Sequence, residues 1–327
     1  MSGPQIRLTN QRYVMALYVV GATAVEGLYR STDGAQTWER LTSPAGTLLG
    51  YVCAISPDIA LVQSDASHLY RTADAGQTWA DVYTGAVTRI SMADANVGWG
   101  VGGSSGHLVK TTDGGRTWAD IDLSGIIGAT ALTDVKALSP TLAYACGNVY
   151  ATTSKAAIVK TTDGVAWTLQ TSGYNYPLSK IDSRTDGLKA VACGGHTVAG
   201  SGGALYTTDG GTTWTAATGE PETCVDIACV GNMGRILTTG GGIYRSVDGG
   251  ATYTAVSDRP AVAIATYQDR HVWIAHFRST TSYVISASPD GWWTWADVVT
   301  PPVLVPTEIS ACAGYMADGP AITFDIR

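Results

Sequence analysis

The chain is poor in the residues on which helices and highly charged surfaces depend. Its 327 residues include two Phe, six Lys and five Glu, against 39 Gly. Thr, Val and Ala are abundant, and this composition favours short β-strands joined by tight turns. No segment approaches the 18 or more consecutive apolar residues of a membrane-spanning helix, so we expect no membrane span. The length fits two average domains or one large all-β domain.

The sequence also lacks a basic surface and a recognisable export segment. The net charge is −7 and the isoelectric point is near 5.1, and no basic stripe is interleaved with aromatic residues, so nucleic-acid binding is disfavoured. Residues 1–15 have no basic region leading into an apolar stretch, and no cleavage site. The sequence therefore predicts a protein without a secretion signal that is cytoplasmic as made.

Six cysteines are present, but no pair has the spacing of a metal site. They share no CxxC motif and no partner histidines, so we expect no zinc. Their small-residue, strand-like surroundings favour buried thiols and a reducing compartment, with a disulfide at Cys224 or Cys312 as the alternative. The cysteines are Cys53, Cys146, Cys193, Cys224, Cys229 and Cys312.

One short phrase recurs along the chain. "HLVKTTDGGRTWADI" at 107–121 reads as a strand, a Gly-rich turn and a second strand. Seven versions occur, with spacings between successive Asp residues of 41, 39, 50, 46, 39 and 42 residues. The seven Asp are Asp33, Asp74, Asp113, Asp163, Asp209, Asp248 and Asp290, followed by Trp38, Trp79, Trp118, Trp167, Trp214, Tyr253 and Trp295. Repeats of about 40–50 residues with several short strands each are typical of β-propellers.

A residue needed seven times at one register is architectural, because a catalytic residue is needed once. The Asp can accept hydrogen bonds from the backbone N–H groups that follow it, and the next Gly can adopt positive φ. The Thr before the aromatic residue offers a further hydroxyl, and the aromatic side chain can be buried between neighbouring units. A ligand or metal role for these Asp residues is the alternative.

The pattern S/T-x-D-x-G-x-T-W resembles the Asp-box, or BNR, repeat, and the resemblance extends over residues 5–300. Such boxes occur in sialidases, xyloglucan hydrolases, sortilin-type receptors, photosystem II assembly-factor-like propellers and phage virion proteins. The resemblance implies an all-β fold, a single seven-bladed β-propeller of four-stranded antiparallel blades. It places the box between the third and fourth strands of a blade, away from the usual ligand face, and therefore specifies fold far more than function.

The units can be divided into strands. In the third unit we expect strands at 87–93, 97–102, 107–112 and 117–122. The N-terminal stretch aligns with the last unit, so the first blade is expected to be complete within it. The propeller then spans 1–300, and residues 301–327 are a C-terminal extension that closes the ring, starts an eighth blade or contacts a partner; closure is preferred.

The sequence gives no positive sign of catalysis. A glycosidase needs two carboxylates facing each other across the scissile bond, and the sialidase relatives add three arginines and a Tyr–Glu pair. The Arg-Ile-Pro motif of those relatives is missing; "QIRLT" is the nearest segment. A hydrolase would predict convergent carboxylates near the central opening, from Asp65, Asp182 or Asp186. The five histidines are scattered, so no metal site and no cofactor are expected.

Two segments have the composition of recognition surfaces. The inserted loop at 170–186 carries Tyr174, Asn175 and Tyr176, and Trp292 with Trp293 fills turn positions that are small or polar in the other units. Five boxes also have a cation three residues before the Asp: Arg30, Arg71, Lys110, Lys160 and Arg245. These cations form either a ligand-binding ring or, as favoured here, contacts over an aromatic ring of the same hairpin or solvated positions.

These observations predict a non-catalytic interaction or structural module. By analogy with the virion members, it would be an adaptor or decoration component of a phage particle that binds protein or glycan. The alternative is a glycoside hydrolase or sialidase-like enzyme.

Overall fold

The chain folds into short antiparallel sheets in a computed structural model. The structure describes residues 14–18, 27–31, 39–44, 49–56, 58–64, 67–102, 106–128, 130–149, 155–170, 173, 176–184, 186–195, 203–219, 223–230, 233–238, 242–257, 261–267, 271–279, 282–288, 296–298, 310–314 and 321–325. The described strands form six four-stranded sheets and one five-stranded sheet. We number the sheets one to seven in the chain order of their boxes.

Sheets two to seven are each built from four strands consecutive in the chain, and every pair within them is antiparallel. Sheet two contains β4 (Leu49–Ala54), β5 (Ala60–Ser64), β6 (His68–Thr72) and β7 (Ala80–Thr84). Sheet three contains β8 (Arg89–Met92), β9 (Gly98–Val101), β10 (His107–Thr111) and β11 (Ala119–Asp122). Sheet four contains β12 (Thr130–Ala137), β13 (Ala143–Val149), β14 (Lys155–Thr161) and β15 (Trp167–Gln170).

The remaining sheets repeat this order. Sheet five contains β16 (Leu178–Ser183), β17 (Ala190–Gly194), β18 (Ala204–Thr207) and β19 (Thr215–Ala216). Sheet six contains β20 (Cys224–Val230), β21 (Met233–Thr238), β22 (Ile243–Ser246) and β23 (Thr254–Ser257). Sheet seven contains β24 (Ala261–Tyr267), β25 (His271–Ser279), β26 (Ser282–Ser288) and β27 (Ala296–Val298). A short helix, α1 (Ser124–Ile127), follows β11.

Sheet one joins the two ends of the described chain. It contains β1 (Val14–Tyr18), β2 (Gly27–Ser31), β3 (Glu39–Leu41), β28 (Ser310–Gly314) and β29 (Ala321–Asp325). The strand order is β28-β29-β1-β2-β3, and β29 pairs with β1 in parallel. The C-terminal strands thus lie at the inner side of the first sheet. The expectation that the N-terminal stretch supplies the whole first blade is wrong, because β29 of the C-terminal extension occupies the place beside β1. Residues 1–13 lie outside the described residues.

The first strand of each sheet contacts the first strand of the next. These contacts run from β4 through β8, β12, β16, β20 and β24 to β28, and β28 contacts β4. The first and second strands of a sheet have neighbouring sheets on both faces, so side-chain burial decreases from the first strand of a sheet to its last. All four residues of β9 are buried, whereas three of the four in β11 are exposed.

The apolar core is divided among the junctions between sheets. One cluster joins Trp99 and Val101 of sheet three to Leu132, Val135 and Trp167 of sheet four. Comparable clusters lie between sheets four and five and between sheets five and six. Because a strand alternates its side chains between two faces, each sheet shares one apolar layer with each neighbour.

The sequence-based strand positions in the third unit agree with the structure to within two residues at each end. The prediction of an all-β fold made mostly of four-stranded antiparallel sheets is confirmed, whereas sheet one has five strands and one parallel pair. Within the described part of the chain, no helix is long and apolar enough to cross a membrane.

Candidate functional site

The repeated Asp lies in a turn whose backbone N–H groups and hydroxyls donate several hydrogen bonds to its carboxylate. Asp113 Oδ1 accepts from the backbone N–H groups of Arg116 at 2.9 Å and Thr117 at 3.0 Å, and Oδ2 accepts from the Thr117 hydroxyl at 2.7 Å. The Thr111 hydroxyl donates to Oδ1 at 2.9 Å and accepts from Gly115 N–H at 2.9 Å. The turns of Asp74, Asp209 and Asp248 share this arrangement.

These hydrogen bonds favour the charged form of the carboxylate. The Thr78 hydroxyl, with the Thr78 N–H and the Thr72 hydroxyl, lowers the pKa of Asp74 to about 2. The Thr213 hydroxyl acts in the same way on the pKa of Asp209, which is also about 2. Each such carboxylate is an anion whose two oxygens both accept hydrogen bonds from its own turn, which is the arrangement of a structural group.

The box of sheet four is one residue shorter and bonds differently. Asp163 Oδ1 accepts from the N–H groups of Val165 and Ala166, both at 2.8 Å, and Trp167 follows directly. The boxes of Asp33 with Trp38 and of Asp290 with Trp295 lie outside the described residues.

The cation before each box joins one sheet to the next. In four junctions it donates to the backbone carbonyl of the residue that follows the Asp of the next box. The four bonds are Arg30 Nη1 to Ala75 O at 2.8 Å, Arg71 Nε to Gly114 O at 2.8 Å, Lys110 Nζ to Gly164 O at 2.6 Å and Lys160 Nζ to Gly210 O at 2.7 Å. We call these the cation–carbonyl bonds.

Two of these cations also lie over an aromatic ring of their own sheet. Lys110 Nζ is 5.1 Å from the centroid of Trp99, and Lys160 Nζ is 5.1 Å from that of Tyr144. The ring packs edge-on against the box Trp of the next sheet, with Trp99 to Trp167 and Tyr144 to Trp214 both at 6.3 Å. Lys110 and Lys160 thus lie over an aromatic ring, as the favoured interpretation expects, although the ring is on the second strand of the sheet and not in the box. Their bonds to the neighbouring box join the sheets, which was not expected. The box that follows Arg245 lies outside the described residues.

A second set of charges lies on the first strands of sheets three to six. Arg89, Asp134, Lys180 and Asp226 occupy one register in successive sheets and alternate in sign. Lys180 Nζ is 3.4 Å from Asp226 Oδ1, and Asp134 Oδ2 accepts from Ile181 N–H at 2.9 Å. Burial raises the pKa of Asp134, although the cations Lys180 and Arg89 oppose the shift. We call these four residues the inner charge row.

Asp182, named above as a hydrolase candidate, belongs to a parallel set of contacts. It pairs with Lys136 Nζ at 2.6 Å and accepts from Cys229 N–H at 2.7 Å, so it joins sheet five to both neighbours. Asp186 pairs with Arg184 at 3.3 Å and accepts from Leu188 N–H at 2.9 Å. Asp65 lies outside the described residues. In the described ranges, no group of three or more His, Cys, Asp or Glu is placed to hold a metal ion.

The candidate recognition residues are mostly beyond the described part of the chain. Tyr174, Asn175, Trp292 and Trp293 lie outside it, and Tyr176 is half-buried just before β16. Their role in binding stays a prediction.

The favoured expectation of buried thiols is wrong for two cysteines, and the alternative of a disulfide at Cys224 holds. Cys193 and Cys224 form a disulfide between β17 and β20, with the Cα atoms 5.6 Å apart. The sequence does not reveal this proximity, because the two residues are 31 positions apart and meet only when sheets five and six pack. Among the described residues, Cys53 and Cys146 are buried and Cys229 is partly buried, and these three cysteines are outside the disulfide.

Sequence reasoning noticed the recurring cation but missed its partner in the next box, and it missed the inner charge row entirely. A register alignment of the first strands would have revealed the alternating signs of that row. The cation–carbonyl bonds link residues 43 to 54 positions apart, so their partners emerge only from the packing of sheets.

Comparison with known proteins identifies the repeat and the fold. The BNR/Asp-box repeat family matches residues 205–216, the box of sheet five. No curated protein matches the chain at a significant level.

Solved structures provide the wider likeness. The structure described as YCF48 bound to D1 peptide superposes with a TM-score of 0.59 at 21% identity, over 80% of this chain and 83% of that one. YCF48 from Cyanidioschyzon merolae gives 0.57 at 20% identity, over 85% and 91%. The C-terminal WD40 domain of Sif2 gives 0.56 at 11% identity, over 85% and 81%. The chain is therefore similar in fold to β-propellers and carries the BNR/Asp-box repeat.

Proposed function

We propose that the chain is a single seven-bladed propeller that acts as a non-catalytic module for binding another protein. The ring is supported by the first-strand contacts, which lead from β4 through five intermediate strands to β28 and back to β4. The C-terminal strands complete the first blade, because β29 pairs with β1 and β28 lies inside it.

The observation that carries the binding function is the occupation of the carboxylates. The Asp residues of the described boxes bond their own turns, and Asp134, Asp182 and Asp226 are held by cations or backbone N–H groups of neighbouring sheets. A glycosidase needs a free pair of carboxylates flanking a sugar. The charged side chains of this ring bond its own turns and neighbouring sheets. Such a rigid scaffold is suited to presenting loops to a partner.

The similar structure of YCF48 was determined with a bound D1 peptide. By extension, we propose that the partner of this chain is a protein segment. We further propose that the loop containing Tyr174, Asn175 and Tyr176, or the pair Trp292 and Trp293, supplies the aromatic contacts. Incorporation into a phage particle and glycan binding stay predictions that the same experiment tests.

The test is to purify the chain from its source and identify co-purifying proteins by mass spectrometry after chemical cross-linking. We expect one protein at fixed stoichiometry, with cross-links near 170–177 or 292–293. Trp292→Ala with Trp293→Ala, or Tyr174→Ala with Tyr176→Ala, should weaken binding at least tenfold, in line with the loss of an aromatic hot spot of about 2 kcal/mol. Arg116→Ala, on the exposed box turn of sheet three, is the matched control.

Virion proteins among the partners would support the particle role. Release of reducing sugar from polysaccharides by the purified chain, lost when Asp65, Asp182 or Asp186 is changed to Asn, would overturn the proposal in favour of a hydrolase. Unfolding by circular dichroism must be measured for Asp182→Asn, because that carboxylate also supports the fold.

A further inference from the structure

The junction between sheets five and six differs from the four junctions before it. At the position of the bonding cation stands Tyr206, in the middle of β18. In the described part of the chain, Tyr206 makes no hydrogen bond to the turn at 247–251. Val191 replaces the aromatic residue at the place of Trp99 and Tyr144, and Tyr253 replaces the box Trp. This junction therefore lacks both the cation–carbonyl bond and the edge-on aromatic pair.

The same junction contains the disulfide. Cys193 occupies in β17 the place that Cys146 has in β13 and Val101 in β9. Those residues pack against Leu178 and Leu132, at the start of the next sheet's first strand, in apolar clusters. Cys224 occupies that same starting position in β20. A covalent bond thus stands where the two preceding junctions have an apolar contact.

Other contacts also cross the junction between sheets five and six. The inner charge row crosses the junctions on both sides of sheet five, through Asp134 to Ile181 N–H and through Lys180 to Asp226. At the outer rim, Thr218 exchanges backbone hydrogen bonds with Ala251 and Tyr253, at 3.1 Å and 2.8 Å. The disulfide is the covalent link among these contacts and lies beside the inner charge row, since Cys193 is paired with Lys180 in the register of sheet five.

We propose that the Cys193–Cys224 disulfide is a redox-dependent link that compensates for the missing cation–carbonyl bond between sheets five and six from a different position in the same junction. A dithiol reductant breaks the S–S bond by thiolate attack, donates two electrons and two protons to give two Cys thiols, and leaves as its own disulfide. Among the junctions from sheet one to sheet six, this junction then has neither a cation–carbonyl bond nor a disulfide, and we expect the ring to open there first.

The link closes a stretch with a sequence separation of 31 residues. For a loop of this length, the chain-entropy account predicts that reduction raises the unfolding equilibrium constant by roughly a hundredfold or more. The effect should be local before it is global, because sheets open in cooperative units.

The first measurement is peptide mapping by mass spectrometry of the air-oxidised, full-length protein, which should yield one peptide pair joined through Cys193 and Cys224. Amide hydrogen exchange is then compared with and without dithiothreitol. We expect exchange in β17 and β20 to rise about tenfold or more on reduction, with a smaller change in β13 and in the inner strands of sheets two and three. Reduction acts on the wild-type chain, so the test does not depend on a variant folding.

Variants sharpen the result. Tyr206→Lys restores the cation found at Lys110 and Lys160 and should abolish at least half of the reductant effect on exchange in β20. Cys193→Ser should behave like the reduced protein and ignore the reductant. Cys146→Ser, at the matched position of sheet four, should respond to reductant like the wild type.

Three results would overturn the proposal: no joined peptide in the oxidised protein, an equal rise of exchange at the junctions on both sides of sheet five, or a Tyr206→Lys variant whose response to reductant matches the wild type. The proposal is independent of the partner-binding function, because none of these readouts requires a partner.

Discussion

Replacement of Lys160 by Met should open the junction between sheets four and five without removing its apolar packing. The Lys160 ammonium donates to Gly210 O at 2.7 Å and lies 5.1 Å from the centre of the Tyr144 ring. Met keeps an aliphatic stem of similar length, so the burial of the stem is retained. The substitution therefore isolates the loss of the charge and of its hydrogen bond.

The expected cost is about 2 kcal/mol of unfolding free energy. A hydrogen bond to a charged group contributes about 1.5–3 kcal/mol, and a partly exposed cation over an aromatic ring about 0.5–1 kcal/mol. The site is only half-buried, which reduces both contributions through solvent screening, and the new apolar contact of the Met side chain offsets a little more. Lys110→Met should cost the same, because its bond to Gly164 O at 2.6 Å and its position over Trp99 have the same geometry.

Equilibrium urea unfolding followed by tryptophan fluorescence measures the change. The control is Arg116→Met, since Arg116 donates to Asp113 O within its own exposed turn and joins no sheets. We expect that control to cost less than about 0.5 kcal/mol. If Lys160→Met and Arg116→Met destabilise the protein equally, the cation–carbonyl bond does not hold the junction and the reasoning fails.

Three further predictions test the box itself. Ala75 has φ +62 where the other described boxes have Gly, so Ala75→Gly should stabilise the protein by about 1 kcal/mol in urea unfolding. The mirror change Gly210→Ala, which places a Cβ no closer than 3.3 Å to Lys160 Nζ, should destabilise by a similar amount; two changes of the same sign would contradict this. The pKa of Asp74, Asp113, Asp209 and Asp248 is about 2, below the ordinary 3.8. The contribution of these carboxylates to stability is therefore complete above pH 4 and is lost as the pH falls through 2. Near-ultraviolet circular dichroism should show this loss as steep acid unfolding, and unchanged stability from pH 4 to 2 would refute the prediction. Trp214→Ala should lower the unfolding free energy by roughly 3–5 kcal/mol in urea, because the Trp214 ring is buried against Tyr144. Trp79→Ala, at a half-buried ring, should lower it clearly less, and equal losses would contradict the prediction.

The local part of the fold follows from the sequence because its determinants are local. The box turn is closed by bonds among residues two to four positions apart, such as Thr111 to Asp113 and Thr117 to Asp113. The alternation of apolar residues and the Gly-rich turns between them predict the ends of the strands of sheet three to within two residues. Physical chemistry over five to ten residues is enough for both.

For contacts between sheets, the sequence predicted the type of residue that is buried but not the partners of individual side chains. Burial of the box Trp between units was expected, and Trp167 and Trp214 are buried there. The partner carbonyls of Lys110 and Lys160 were not, because backbone carbonyls have no sequence signature. A disulfide at Cys224 was only an alternative, and its partner Cys193 was missed for a related reason: six cysteines allow many pairings, and only the packing of β17 beside β20 selects one.

The box and the cation of the preceding sheet together join two sheets, and this structural role explains why the motif carries little information about function. The Asp fixes the turn so that the carbonyl of the next residue points toward the preceding sheet, and the cation of that sheet binds it. Where the cation is absent, at Tyr206, a covalent bond occupies the same junction. Substitutions in these residues should therefore lower stability at a particular junction. If the proposed partner binding holds, variants that lose binding but keep normal unfolding should be found among residues 170–177 and 292–293 rather than in the boxes.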